Sequence, residues 1–303
     1  MPKFPLAPDR GDTIRPVNRA RSLLLITVAY LVAIAVAWMW LWAGPDTGSL
    51  LLDTLLADLI ATAVIFGFSR AYRNSSVYDA YWSVAPPLLF VYWWLHAEDP
   101  DVFRAVLIAI VVAEWSIRLT SNWLVGFPGL DHEDWRYEMI RSNAGRAAIL
   151  ADLFAIHVIP TLQVFLGMVP VYIALTTPGP GWVWLTVIAG VVGLAAVALE
   201  AVADRQMRTF RIDHPGQVMV RGVWAWSRHP NYFGELGFWI SLALFGVAAS
   251  PSDAWWLFAG AVVMLAMFLG ASIPWMEQRS RERRPDYDEQ TRGISALVPW
   301  TPR

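Results

Sequence analysis

From Ser22 to Ala43 the chain runs for 22 residues without one Asp, Glu, Lys or Arg. A helix needs about 20 apolar residues to cross a bilayer, and weaker versions of this run recur to the end of the sequence. Apolar stretches fall at 22–43, 49–69, 82–97, 102–124, 147–176, 182–203, 233–250 and 254–276. The third is short for a span, and Pro160 and Pro170 interrupt the fifth. Only 16% of residues are charged and 56% are hydrophobic, whereas soluble domains carry about 25% charge. That charge cannot coat a water-facing surface of this size. The expected fold class is all-α: a polytopic membrane bundle of about seven to eight helices.

The basic residues order these spans. With eight crossings, 21 of the 23 Lys and Arg fall on one side. By the positive-inside rule that side, with both termini, is cytoplasmic. Arg104 is alone on the opposite side and Arg118 lies within the fourth span. Residues 1–21, with four prolines and mixed charge, read as a flexible cytoplasmic tail. Residues 22–303 read as a single transmembrane domain. The first apolar run is too long for the core of a signal peptide, and no small-residue cleavage site follows it. A net charge of −2 gives no support to nucleic-acid binding. The absence of Cys removes disulfides, thiolate metal sites and Cys nucleophiles. No GxGxxG, Walker A, GxSxG or HExxH pattern occurs, so a Rossmann-type cofactor domain is not expected.

Chemistry concentrates in four polar segments on the basic side: 70–81, 125–146, 204–232 and 277–303. If the sixth helix continues past the membrane, Asp204, Arg208 and Arg211 fall at i, i+4 and i+7 on one face. Such a face either reads phosphate bidentately or merely orients the helix against anionic lipid. In Arg228-His-Pro-Asn-Tyr-Phe-Gly-Glu235, Pro230 forces His229 out of the α region, so the stretch reads as a turn feeding a helix. Asn231 then sits near the N-cap, and Gly234 permits close approach by a ligand or another helix. Glu235 is a carboxylate in the first turn of a membrane helix, either functional or offsetting the helix dipole. Asp79 enters the third span among Tyr78, Tyr81 and Trp82. Glu114 and Arg118 are four residues apart within the fourth, as structural glue or as functional groups. Asp53 and Asp58 are weaker candidates, near the outer end of the second span. The loop around His132-Glu133 lacks a second His at ligand spacing, so it reads as solvated or headgroup-facing rather than as a metal site.

Asp204 to Glu235, with Tyr287 and Leu297-Val-Pro-Trp300, resembles the steroid 5α-reductase family, and more closely its bacterial membrane branch. Ser227-Arg-His-Pro-Asn-Tyr-Phe-Gly-Glu235 is the most specific element. Asp79-Ala-Tyr-Trp-Ser83 and Glu133-Asp-Trp-Arg-Tyr137 are weaker signs. The resemblance implies an integral protein of the bacterial cytoplasmic membrane that binds NADPH, through residues of about 200–303, without a Rossmann fold. It implies reduction of a carbon–carbon double bond conjugated to a carbonyl, in a hydrophobic substrate drawn from the lipid phase. Asp204 and Arg211 match the family's cofactor-holding Asp and Arg, and Asn231 and Glu235 its Asn and Glu near the nicotinamide. Arg208, Arg228, Tyr232 and Tyr287 are the implied cofactor-side neighbours. The family's substrate-polarising Glu and Tyr lie in the N-terminal half. Asp79 takes the place of the Glu, with Glu114 as a second acid and Tyr78 or Tyr81 as hydroxyl donors. This sequence has Glu114-Trp115 where the Tyr would align, which puts a steroid 3-keto substrate in doubt.

Two other classes fit parts of the sequence. Membrane methyltransferases that use S-adenosylmethionine also carry an Arg-His-Pro-x-Tyr-x-Gly segment, followed by a late Glu and a Tyr-rich tail. Glu277 and Tyr287 fit that scheme, but a sulfonium cofactor has no phosphate for Arg208 and Arg211 to read. A small transporter or scaffold is the third class. Transporters show internal repeats and paired broken helices, and this sequence shows no repeat.

Overall fold

The computed structural model describes residues 19–301, so most of the expected N-terminal tail lies outside the described residues. Among the described residues there is no strand, and thirteen helices account for most of the chain. They are α1 (Arg19–Ala43), α2 (Leu50–Tyr72), α3 (Tyr81–His96), α4 (Val102–Gly126), α5 (Trp135–Ala144), α6 (Ala148–Ala151), α7 (Ile159–Thr176), α8 (Val183–Asp213), α9 (Pro230–Ala249), α10 (Ala254–Leu257), α11 (Ala259–Met267), α12 (Ile273–Arg283) and α13 (Tyr287–Gln290). The first helix begins at Arg19, three residues inside the expected tail.

Among the described residues six helical stretches are long and apolar enough to cross a membrane: 19–43, 50–72, 135–176, 183–213, 230–249 and 251–283. The chain is built as an integral membrane protein. The other two of the eight expected spans, α3 and α4, are helices packed against each other within the bundle. At 16 residues α3 is short for a crossing, and α4 carries Arg104, Glu114 and Arg118.

The expected break in the fifth stretch does not occur. Helix continues from Ala148 to Thr176 through one widened π segment, Asp152–Val158. A π turn accommodates the carbonyl that loses its partner when Pro160 supplies no N–H. The last stretch is handled in the same way, with a π segment at Phe268–Ser272 just before Pro274.

Helix ends follow local rules. Ser49 caps α2 by accepting from Leu52 N at 3.4 Å, and Asp101 caps α4 by accepting from Arg104 N at 2.7 Å. Arg73 ends α2 in the left-handed region, φ 52°. Pro230 opens α9 behind His229, whose backbone (φ −138°, ψ 59°) lies outside the α region as a residue before proline should. α8 runs 31 residues, about 46 Å at 1.5 Å per residue, and so overruns a bilayer core of about 30 Å. Asp204, Arg208 and Arg211 lie on this overrun.

α8 and α9 pack along their length. A Cβ on Gly234 would lie 2.5 Å from Glu200 Cγ and 2.9 Å from Ala196 O. The close approach that Gly234 permits is therefore to α8. The main core gathers α3, α4, α7, α8 and α9 around Trp93, Trp115, Met168, Phe238 and Trp239. A second cluster joins α1, α2 and the turn at Ser75–Tyr78. That turn belongs to the segment expected as a polar loop, yet all four of its residues are buried.

Arg104 is fully buried, and its guanidinium donates to the carbonyls of Ala174 (2.8 Å), Thr177 (3.0 Å) and Pro180 (3.3 Å). The negative end of the α7 dipole thus receives the one basic residue at this end of the bundle.

Candidate functional site

Two polar constellations sit in this apolar frame. The first is where α4, α8 and α9 meet at the basic end. Arg118 forms ion pairs with Glu200 and with Asp204, the latter at 2.9 Å, and lies 3.8 Å from Glu235 Oε2. Asn122, one turn on, donates to Asp204 at 3.1 Å and accepts from Arg208. Glu235 is held on both oxygens: Trp239 Nε1 donates to Oε1 at 2.8 Å and Trp115 Nε1 to Oε2 at 3.0 Å. Trp115 is itself stacked on Phe238 at 4.4 Å. Glu200 and Glu235 are buried, so three acids converge on one guanidinium that water barely reaches.

Outward from this cluster the charge reverses. Arg211, near the end of α8, faces Arg284 and Arg283 at the end of α12. Among the described residues neither Arg211 nor Arg283 forms an ion pair. Unanswered guanidiniums held together repel, and a phosphate answers several of them at once.

The second constellation is an elongated cavity of about 230 Å³ between α1, α2 and α3. Its walls are almost wholly apolar, including Ile34, Trp38, Leu89 and Tyr92. Leu88, Val91 and Leu95 on its α3 side are exposed on the outer surface of the bundle. Thr54 in its wall is bonded to the α2 backbone and to Trp93. Its acid forms one pair: Tyr81 donates to Asp58 Oδ1 at 2.7 Å, and Asp58 Oδ2 is buried with no partner among the described residues. Beyond Tyr81, α3 meets α4, the helix that carries Arg118. The next residue, Trp82, packs edge-on against Trp115 at 5.9 Å, and Ser83 accepts from Ser116 at 2.7 Å.

The sequence-derived candidates divide accordingly. Asp204, Arg208 and Glu235 are brought together, and Asn231 lies half-buried one turn before Glu235 with no hydrogen bond. Arg228 is committed elsewhere: it pairs with Glu277 at 2.7 Å and donates to Ile294 O at 3.0 Å. With Ser227 Oγ donating to Leu297 O (2.7 Å) and Arg228 N to Ser295 O (2.8 Å), it straps segment 294–300 onto the motif. Tyr232 is stacked between His229 and Phe268. Tyr287 is buried beneath Arg281, and its burial raises its phenol above the usual range.

Among the N-terminal candidates Tyr81 and the weaker candidate Asp58 line the cavity, and Tyr78, Asp79 and Glu114 do not. Tyr78 spends its hydroxyl on Thr161 at 2.8 Å. Asp79 turns toward α5, where Tyr137 donates to it at 2.5 Å. Burial pushes its carboxyl up to about 7 against the lowering effect of that hydrogen bond. Glu114 is exposed on the outer face of α4, and Arg118 turns to α8 instead of pairing with it. The acid that joins Tyr81 is Asp58, since α2 rather than the loop supplies the facing wall.

Sequence reading also missed Glu200, although an acid four residues before Asp204 in an apolar run was a signal for it. The i,i+4 spacing of Glu235 and Trp239 on one helix was a signal for that donor, whereas nothing in the spacing pointed to Trp115, 120 residues away.

A family model described as a protein of unknown function, DUF1295, matches residues 65–293. The chain belongs to that family. The match takes in the whole Arg118–Glu200–Asp204–Glu235 cluster and begins after Asp58. An uncharacterized protein of Schizosaccharomyces pombe, C594.04c, is 26% identical over 261 residues, covering 77% of this chain and 75% of its own. No solved structure matches.

Proposed function

We propose that the protein is a membrane-embedded reductase that uses NADPH to reduce a carbonyl-conjugated carbon–carbon double bond in a lipid-like substrate. The observation that carries this reading is the Tyr81–Asp58 pair, a phenol and an acid in an almost wholly apolar cavity, on a helix bonded through Ser83 to the helix of Arg118. Hydride addition to such a bond leaves an enolate, which needs a donor aimed at its oxygen in a dry site. With Asp58 as the neutral acid, the 2.7 Å bond would run from the acid to the phenol oxygen and free the Tyr81 proton for the enolate, and the apolar walls would hold the substrate and exclude water.

The residues at the basic end fit the cofactor. Arg211 and Arg283, which form no ion pair among the described residues, and Arg284, whose Nε donates to Gly216 O at 3.2 Å, offer guanidiniums suited to its phosphates. Asn231 has a free amide and Glu200 a buried oxygen without a partner, the donor and acceptor that a carboxamide needs. Arg208 and Asp204 fix the mouth between them, Glu235 is locked by two indoles, and Tyr232 and Tyr287 brace α9 and the tail. When bound, the reduced nicotinamide supplies the hydride. Membership of a family that includes steroid 5α-reductase-like proteins supports the reading. With 21 basic residues on one side, the cofactor end faces the cytoplasm.

The methyltransferase reading loses its Glu277, which is saturated by Arg228 and Arg281 and lies 3.5 Å from His229. The test is thermal shift of detergent-purified protein with NADPH, NADH and S-adenosylmethionine in parallel. NADPH should stabilise the wild type, and Arg211→Ala should weaken that effect. Stabilisation by S-adenosylmethionine alone would overturn the proposal.

A further inference from the structure

We infer that the hydroxyls of Tyr78, Thr161 and Thr62 form a feed, headed by His157, that returns protons to the Tyr81–Asp58 pair from the basic end of the bundle. Its use rests on the reductase reading above; its geometry does not.

The need for such a feed follows from the cavity. Each reduction consumes one hydride and one proton. The hydride adds to carbon, the π electrons move onto the carbonyl oxygen, and the Tyr81 O–H breaks as its proton passes to that oxygen. The Asp58 proton then passes to the phenolate and leaves Asp58 as a carboxylate. The pair stays empty until a proton from water replaces the one consumed. The cavity does not bring it, because its walls are almost wholly apolar and its α3 side opens on the lipid-facing surface of the bundle.

A row of buried hydroxyls leads away from the pair on its other side. Thr62 lies within hydrogen-bonding contact of Tyr81. Its hydroxyl is 2.9 Å from that of Thr161, and Thr161 is 2.8 Å from the hydroxyl of Tyr78. None of these four side chains belongs to a residue more than 4% exposed. The far end sets the direction of the row. Among the described residues Thr161 is the partner of the Tyr78 hydroxyl, and a buried O–H that donates to nothing is costly. Tyr78 therefore donates to Thr161, which leaves Thr161 to donate to Thr62 and Thr62 to Tyr81. Once Asp58 has lost its proton, Tyr81 donates to it in turn, so every hydroxyl points toward the carboxylate. Hydroxyl pairs between membrane helices also act as glue. Glue has no need to end on an acid, and here it ends on one whose Oδ2 is buried without a partner. The turn Ser75–Tyr78 is irregular backbone buried in the bundle, which is tolerated where protein encloses it, and it is this turn that carries Tyr78 to Thr161.

His157 stands between the row and the charged groups at the basic end. Its ring lies in the π segment Asp152–Val158 and packs 5.0 Å from that of Tyr78. Nδ1 is 2.9 Å from the Asp152 carbonyl oxygen, which only accepts, so Nδ1 carries the hydrogen. The bare Nε2 takes the Ser69 hydroxyl at 3.1 Å. Imidazole takes up and releases protons near neutrality, and a proton on Nε2 is passed on when the ring turns from Ser69 to Tyr78. Tyr78 gives its own proton to Thr161 as it receives one, and the exchange repeats along the row, one O–H breaking as the next forms, until Asp58 is an acid again. On the other side of His157, the Asp152 carboxyl accepts from Ser75 at 2.7 Å and pairs with Arg70. The Arg70 side chain is 32% exposed, so this end of the route reaches water.

The experiment needs no substrate. The full chain in liposomes is moved from H₂O to D₂O buffer, and the C=O stretch of the Asp58 acid is followed by infrared spectroscopy. Asp58→Asn removes that band and so assigns it. The rate at which the band shifts is the rate at which the pair exchanges protons with water. Thr161→Val deletes the hydroxyl in the middle of the row and should slow the shift by about tenfold or more. Thr161→Ser returns a hydroxyl and should return the rate, a recovery that a purely packing role for Thr161 would not require. Tyr78→Phe cuts the row one step earlier and gives the same reading if Thr161→Val does not fold. A wild-type rate in either folded variant overturns the inference, as does wild-type protein without an Asp58 acid band at neutral pH. Thermal shift of the same proteins with NADPH keeps the two readings apart. Slowed exchange in protein that NADPH does not stabilise keeps the feed and overturns the reductase. Unchanged exchange in protein that NADPH does stabilise overturns the feed alone.

Discussion

Replacing Tyr81 by Phe removes one oxygen and tests both the cavity and the chemistry assigned to it. The Tyr81 hydroxyl donates to Asp58 Oδ1 at 2.7 Å, and Asp58 Oδ2 already has no partner. Without the hydroxyl, a buried carboxyl faces apolar walls with both oxygens unsatisfied. A hydrogen bond to such a group contributes about 1.5–3 kcal/mol, and the cost of stranding the acceptor is of the same size. Tyr81→Phe should therefore cost about 2–3 kcal/mol, seen as a melting temperature lowered by roughly 5 °C. Adding Asp58→Leu should recover most of that loss, because removing both partners is far cheaper than removing one. Catalysis should show no such recovery. Loss of a positioned proton donor costs about 10²–10⁴ in turnover, and the double variant stays as slow as the single. A double variant less stable than Tyr81→Phe would show that the pair is not the isolated unit described here. Full turnover in Tyr81→Phe would remove it from the chemistry.

Asp79 has a folded pKa of about 7, raised by burial, against about 3.9 unfolded. The folded form therefore holds the proton more tightly, and Asp79's contribution to stability, full below pH 4, should be lost as pH rises to about 7. Asp79→Asn should flatten that slope in melting curves, and an unchanged slope would count against it. Arg104→Ala strands the buried Ala174 carbonyl and frees two part-buried ones, and should cost about 2–3 kcal/mol in thermal unfolding; a change under about 1 kcal/mol would refute the carbonyl clamp. Gly234→Ala forces a Cβ against Glu200 and the α8 backbone, for about 1–3 kcal/mol. Binding of NADP⁺ should fall with it, and a neutral outcome would mean that α8 and α9 are less tightly apposed than described.

The apolar runs made the bundle legible, because burial in lipid demands helices and long ones. The overrun of α8 was legible too, since its charges keep helical spacing past the last apolar residue. Within the site, Asp204, Arg208 and Glu235 stood out as charges where the membrane tolerates few. Asp58 did not: its role depends on which wall faces Tyr81, and the two residues are separated by a buried turn that reads in sequence as a polar loop. Glu114 misled for the related reason that helical phase decides what an acid sees. The buried face of α4 runs through Ile108, Val111, Val112 and Trp115, and Glu114 points the other way. Arg228 read as a cofactor-side neighbour because its partner Glu277 is 49 residues away in sequence.

The strap over the motif has a consequence for how the site comes into being. Ser227 is tied to Leu297, 70 residues further along the chain. While the ribosome is still making α11 and α12, the turn that feeds α9 is held at Val223 and Trp224 by α8 alone, and the guanidiniums of α12 do not yet exist. The helices of the cavity can be seated in the membrane well before that. Assembly therefore runs in a fixed order: the lipid-facing chamber exists first, and the end that handles charge closes over it only when segment 294–300 has been delivered.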